Sequence, residues 1–359
     1  MAKTYLDERM MEFAVYGGAI LGGGGGGWIE DGLKLGRLAL EVGSPQLFSV
    51  DELMEDDMVL TTSLVGAPAA KEKFVKPIHY VRAMELMSDR VKKPINGIIT
   101  NENGANTTVN GWFQAVVTGL PVVDLACNGR AHPTSIMGAM NLHERLGYVS
   151  HQAAVGGQAN RYTEVVVSGT IEQASTLVRR VSIDAGGLVA VARNPVTVGY
   201  ATANGAPGAI SQAIELGETL LSHKGESAIE AVCAKLGGTV IMSGVVTAFT
   251  LKTDGGFDVG HVTIEEHWEL TFWNEYMTLE HKGQRLATFP DLIMTLDANT
   301  ARPLVSAAIT KGQAVAIIYL PKSKLLLSTT MSRSDLLQSI EEVIGKPINA
   351  YHSEGRSTR

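Results

Sequence analysis

At 359 residues, 45% hydrophobic and 19% charged, the chain is long enough for about two domains around a sizeable core. A net charge of −7 with scattered basic residues excludes the footprint of a nucleic-acid-binding protein. No apolar run approaches the roughly 18 residues of a membrane span, the opening MAKTYLDERM has no secretory apolar core, and two cysteines, Cys127 and Cys233, give no disulfide framework, so a cytoplasmic location is expected.

Helical spacing is predicted over roughly 7–20 and 28–42, with six consecutive glycines, 22–27, between them. Three readings of this run stand side by side. Gly24 and Gly25 line a substrate or anion, another backbone crosses closely, or the run binds a nucleotide. The last is the weakest. The run matches GxGxxG trivially, no Lys-Ser or Lys-Thr follows, and the preceding segment looks helical rather than extended.

Further on, apolar strands are predicted over roughly 46–49, 57–63, 94–100 and 121–124, and helices over roughly 71–88 and 106–118. This alternation points to βα units and a mainly parallel sheet. Asp51 reads as an N-cap and Pro77 as a residue near a helix start.

Two polar clusters follow neighbouring strands, where open α/β sheets gather their chemistry. The first is NENGAN, 101–106. It places Glu102 past a strand end among amides, with Asn106 available to a ligand; the alternative is a solvated turn. The second is DLACNGRAHPT, 124–134. Asp124 and His132 are candidate metal ligands, and Cys127 a nucleophile or thiolate ligand. Asn128 and Arg130 could bind substrate, Arg130 through a carboxylate. His143 and His151 could fold back on the cluster, although lone histidines are usually structural. No HExxH is present, because His143 is followed four residues later by Gly147.

Beyond residue 163 a strand, 163–170, a helix, 171–180, and a strand, 186–193, are expected. Ile210, Ala213, Ile214, Gly217, Leu220 and Leu221 mark a helix. Ile229, Val232, Cys233 and Leu236 mark another, which stops at Gly237 and puts Cys233 in the core. Strand-like segments at 239–251, 267–273, 292–297 and 313–320 predict an antiparallel β-rich subdomain over roughly 239–330, followed by a helix at 335–344. Asn274 and Glu275 close one of these strands, either in a cleft or in solvent. The expected organisation is an α/β domain, 1–163, with the glycine loop and the main site, and a mixed domain, 164–359.

Taken in order, GGAILGGGGGG, NENGAN, LPVVDLACNGRAHPT, AGGLVAVARNPV, FDVG, NEYM and FPDLIMTLD resemble the S-methyl-thiohydantoin desulfurase-like family, from about residue 7 to 330. The resemblance implies a metal-dependent hydrolase. It would convert a 5-substituted 2-thiohydantoin, such as the propionate of ergothioneine breakdown, to the hydantoin and hydrogen sulfide. It implies a divalent manganese, cobalt or zinc ion, and carries Glu102, Asn106, Asp124, Arg130, Asn274 and Glu275 over as site positions. On this reading Glu102, Cys127, Arg130, Asn274 and Glu275 are catalytic, Gly24, Gly25, Asn106, Asn128 and Arg130 bind substrate, and Asp124 and His132 hold the ion. The chain departs from the family pattern at Ala126, where a second aspartate is common, at His132, where an aromatic is common, and at His261, where arginine is common. The alternative is a non-catalytic subunit that binds a cyclic imide beside a hydantoinase; a homodimer is left open.

Overall fold

A computed structural model describes residues 4–67 and 70–352. The first part of the chain runs β1 (Thr4–Tyr5), α1 (Glu8–Leu21), α2 (Ile29–Val42), β2 (Gln46–Phe48), β3 (Met58–Gly66), α3 (Pro77–Arg90), β4 (Ile95–Thr100), α4 (Trp112–Thr118), β5 (Val122–Ala126), β6 (Ser150–Gly156) and β7 (Thr163–Gly169). It continues through α5 (Ile171–Asp184), β8 (Leu188–Thr197), α6 (Val198–Asn204), β9 (Ala206–Pro207), α7 (Ala209–Leu221) and α8 (Glu226–Leu236). The remainder is β10 (Thr239–Asp254), β11 (Phe257–Ile264), β12 (Trp268–Trp273), β13 (Glu275–His281), β14 (Gln284–Thr288), β15 (Leu292–Asp297), β16 (Pro303–Leu304), β17 (Ala314–Leu320), α9 (Ser334–Ile344) and α10 (Asn349–His352).

Two sheets result. The first has the order β1-β2-β5-β4-β3-β8-β6-β7, with β9 on β5. Its middle, β2-β5-β4-β3, is parallel, as the βα alternation requires, whereas β8, β6 and β7 add antiparallel, so the sheet is mixed. The second, β14-β13-β12-β11-β10-β17-β15-β16, is antiparallel throughout. Residues beyond 163 supply β8, which lies between β3 and β6, so a division at 163 does not follow the division between sheets.

Helices α1 and α7 lie between the sheets and serve both cores. Ala14, Val15 and Ile210 pack with Leu60, Ile98 and Val122 of the first sheet. Ile20, Leu21, Ala213 and Leu216 pack with Leu292, Met294 and Ile318 of the second, joined by the buried Cys233. The shared helix layer brings the β4 and β5 loops of one sheet against the start of β13 in the other.

Local chemistry sets the ends of these elements. Asp7 caps α1 by accepting from the Met10 amide at 2.7 Å, and Pro77 occupies the first turn of α3. At the turn after β2 the N-cap is Ser49, with Asp51 inside the turn. The helix expected over 106–118 is shorter. Thr100 donates to the Thr107 carbonyl and Thr108 accepts from the Gly104 amide, holding this stretch as a loop with a 3-10 turn, Thr107–Val109, before α4 begins. Among the described residues, no helix is long and apolar enough to cross a membrane.

Candidate active site

The loops after β4 and β5 are tied together by backbone hydrogen bonds from Cys127 to Thr100 (2.9 Å) and from Asn128 to Asn101 (3.1 Å). The glycine run crosses directly above. The Asn106 amide donates to the Gly26 carbonyl, the Tyr276 amide to Gly23, and the Ser306 amide to Gly24. This contact explains the glycines: a Cβ on Gly25 would lie 1.9 Å from Glu275 Oε1, and one on Gly26 2.4 Å from the Gly104 Cα. Close crossing is therefore true of the run; Gly26 and Gly27 form part of the cavity wall, whereas Gly24 and Gly25, the two expected to line a ligand, face a smaller cavity beside it.

The cavity lies where α2, β3, β8 and these loops meet the start of β13, and has a volume of about 80 Å³. That is room for a small ring. Its polar wall includes Asn101, Glu102, Asn106, His132, Asn274 and Glu275, five of them residues singled out from sequence. It also includes Arg179 and Arg193, which were not.

Glu102 is buried, and its Oε2 accepts from the His132 backbone amide at 3.1 Å. The His132 ring Nε2 stands 3.2 Å from the same oxygen without a well-directed hydrogen bond. Nδ1 lies 3.0 Å from the Thr134 carbonyl; a carbonyl only accepts, so Nδ1 carries the proton and Nε2 presents a lone pair. Burial and the positive charge of Arg193 push the His132 pKa down to about 3, keeping the ring neutral. Burial lifts Glu102 from 4.5 to about 8, against the opposing pull of the His132 amide and Arg193. Glu275 is raised well above the usual range by burial and by Glu102.

Arg193 lies on β8, opposite Thr61 of β3 and Gln152 of β6, and is 2% exposed. Its Nε and Nη1 are buried without a hydrogen-bond partner among the described residues. Asn106 Oδ1, His132 Nε2 and Glu275 Oε2 are likewise unpartnered. Orphaned donors and acceptors thus share one cavity, an arrangement that calls for a ligand, water or ion. Arg179, on α5, donates to the Gly256 carbonyl at 2.9 Å and stacks on Phe257 at 4.1 Å, adding a second positive charge.

The other singled-out residues sit elsewhere. Asp124 does not line the cavity: Oδ1 accepts from the Ile210 and Ser211 amides (2.9 and 3.0 Å) and Oδ2 from the Ser211 hydroxyl (2.6 Å), so it caps α7. The expected pairing of Asp124 with His132 is corrected accordingly. Arg130 is fully buried behind the cavity, donating to the Ala131, Pro290 and Asp291 carbonyls and stacking on Phe289 at 4.6 Å. Through Nε and Nη1 it clamps the β5 loop to the second sheet, while Nη2, buried against Gly23, has no hydrogen-bond partner among the described residues, and Arg130 is not part of the cavity wall. Asn128 has the same structural part, donating to the Arg130 carbonyl and accepting from the Ser328 amide. Cys127 is buried outside the cavity wall, 3.3 Å from Thr61 Oγ1, and burial pushes its pKa up to about 11, which does not suit a thiolate nucleophile. Asn274 lines the main cavity and also, with Gly24 and Gly25, a smaller one beside it; its Oδ1 accepts from the Asp258 amide at 2.9 Å.

Family models match both halves: the S-Me-THD-like N-terminal domain over residues 9–168 and the S-Me-THD-like C-terminal domain over 168–333. The chain belongs to the S-Me-THD-like family. Membership points to thiohydantoin-related chemistry, on a two-domain α/β fold with a mixed N-terminal sheet and an antiparallel C-terminal one. No curated protein matches the chain. A crystal structure of a protein from Chromobacterium violaceum, a structural-genomics target, superposes with a TM-score of 0.71 at 20% identity, covering 94% of this chain and 96% of the other, a likeness of fold. For this S-Me-THD-like protein, the signal for Arg193 was an arginine inside the apolar run LVAVAR, since charged residues rarely enter such strands without a task.

Proposed function

We propose that this protein hydrolyses the thiocarbonyl of a 5-substituted 2-thiohydantoin, releasing the hydantoin and hydrogen sulfide. The observation that carries the reading is the set of orphaned groups in the cavity. Asn106 Oδ1 and Glu275 Oε2 offer acceptors while Arg193 Nε and Nη1 offer donors, the complement of a ring that alternates N–H with C=O and C=S. Once ionised, Glu275 is the stronger base for its raised pKa, and it accepts a proton from water as the water oxygen bonds to the thiocarbonyl carbon. The C=S electron pair moves to sulfur, where Arg193 stabilises the thiolate. The added hydroxyl passes its proton to sulfur as C=O forms and the C–S bond breaks; the proton held by Glu275 completes hydrogen sulfide.

A divalent manganese, cobalt or zinc ion fits this cavity at a place other than the Asp124 carboxylate. His132 Nε2 is a bare lone pair oriented through its Nδ1 bond to Thr134, and it faces the Glu102 carboxylate at the separation of two ligands on one ion. Bound there, such an ion would be held by His132 and Glu102 and would supply Lewis-acid polarisation of the thiocarbonyl.

The adjoining cavity, about 510 Å³, shares Asp31, Leu64, Lys73, Asn106 and Leu188 with the first and adds Lys34, Arg37 and Lys76. A carboxylate on the ring substituent would meet these cations, which favours the thiohydantoin propionate of ergothioneine breakdown. The test is sulfide release by the purified, metal-supplemented protein given that compound, with Glu275→Gln as the inactive control. Binding of the compound without sulfide release would leave the accessory-subunit reading in its place.

A further inference from the structure

Outside the cavity the buried imidazole of His143 has no explanation in the chemistry above. The His143 ring is 5% exposed, and neither ring nitrogen has a hydrogen-bond partner among the described residues. A buried imidazole left this way bears the desolvation cost of its polar atoms uncompensated, so its surroundings should hold what satisfies it. They do. Nε2 stands 3.7 Å from Glu144 Oε1, and ligand atoms of His143, Glu144 and Asp335 all lie within 4.8 Å of one another. Leu142, next to His143, is anchored in the core with Val59 and Ile99, which holds the backbone beside the ring, while both carboxylates are half exposed.

We infer that His143, Glu144 and Asp335 form a binding site for a zinc-type divalent ion. One imidazole with two carboxylates suits borderline transition metals better than magnesium or calcium, which prefer all-oxygen sets, and water would complete the coordination. Arg333 bridges the same carboxylates from outside, with Nη2 2.6 Å from Glu144 and Nε 3.0 Å from Asp335. Metal binding therefore exchanges one cation for another, and Arg333 sets how tightly the ion is held.

The site is a fastening. Glu144 and His143 belong to the long connection between β5 and β6, whose earlier residues His132, Pro133, Thr134 and Ser135 line the cavity. Asp335 opens α9, whose Leu337 and Ile340 pack with Met137 of that connection and Trp273 of the second sheet. An ion here cross-links the segment that carries His132 to the C-terminal helix.

Cobalt(II) is the probe, because its visible absorption reports ligands directly. The full-length protein is expected to take up an equivalent of Co(II) that is lost in both His143→Ala and Asp335→Asn and retained in His132→Ala. Arg333→Ala should bind that equivalent several-fold more tightly, and saturating Co(II) should raise the Tm of wild type by more than that of His143→Ala. Sulfide release by His143→Ala is expected to continue, which separates this site from the cavity. Co(II) uptake unchanged in both His143→Ala and Asp335→Asn, or weakened by Arg333→Ala, would overturn the assignment.

Discussion

Arg193 is the residue on which the cavity's character turns. A guanidinium with two buried nitrogens unpartnered among the described residues is a burden on folding and an asset to a ligand that brings an anion or a polarised sulfur. Arg193→Met keeps the bulk and removes the charge, so thermal unfolding should show a Tm equal to or above wild type. The same variant should lose at least about 10²-fold in kcat/KM for sulfide release, as when a transition-state donor is removed. A variant with lower Tm and normal turnover would make Arg193 a structural residue. Glu102 gives a prediction with a definite sign. Its pKa is raised on folding from 4.5 to about 8, so across that window the folded protein holds a proton that the unfolded chain has released. Stability of the metal-free protein should be fullest below about pH 4.5 as far as this group is concerned, and be lost progressively as pH rises toward 8; Glu102→Gln should flatten that part of a Tm–pH profile. A cation bound by the ionised carboxylate competes with this proton, so its affinity should rise over the same range, measured by calorimetric titration.

At the scale of elements, the segments joining them do more than connect. Asp124 closes the N-terminus of α7 from β5, a contact across 86 residues of sequence to the Ile210 amide. Asp124→Ala should cost about 1–2 kcal/mol in urea denaturation, the range for a lost helix cap. It should leave the occupancy of a cavity ion unchanged, and loss of that ion would restore Asp124 as a ligand. The glycine run works by contact as well. Gly25→Ala places a methyl on Glu275, and should remove sulfide release by displacing that carboxylate while far-UV circular dichroism stays near native. Much of this level was legible in the sequence. The 3.6-residue and alternating patterns located the helices and strands, and the first polar cluster follows the end of β4 as expected, whereas the second begins inside β5, which runs on to Ala126. What Asp124, Asn128 and Arg130 bind was not legible, because each is partnered by backbone far along the chain: Ile210, Ser328 and Pro290.

The whole molecule is two sheets held by one helix layer. The cavity draws Glu102, Asn106, His132 and Arg193 from the first sheet and its loops, and Asn274 and Glu275 from the border of the second. Because β8 is inserted between β3 and β6, a fragment ending near residue 168 lacks a central strand of its own sheet and exposes two unpaired edges. Expressed alone, it should fail to show a cooperative thermal transition, and a well-folded fragment would contradict this dependence. By itself the sequence determined the element types, the β-rich second part, the core position of Cys233 and the polar clusters at 101–106 and 124–134, since these follow from local periodicity and turn chemistry. Only tertiary structure decided which members of those clusters face one another. Strand order and the close glycine crossing turn Glu102 and His132 into the cavity, turn Asp124 and Arg130 away from it, and bring in Arg193 from a strand almost a hundred residues beyond Glu102, a selection made by packing over distances that no local pattern encodes.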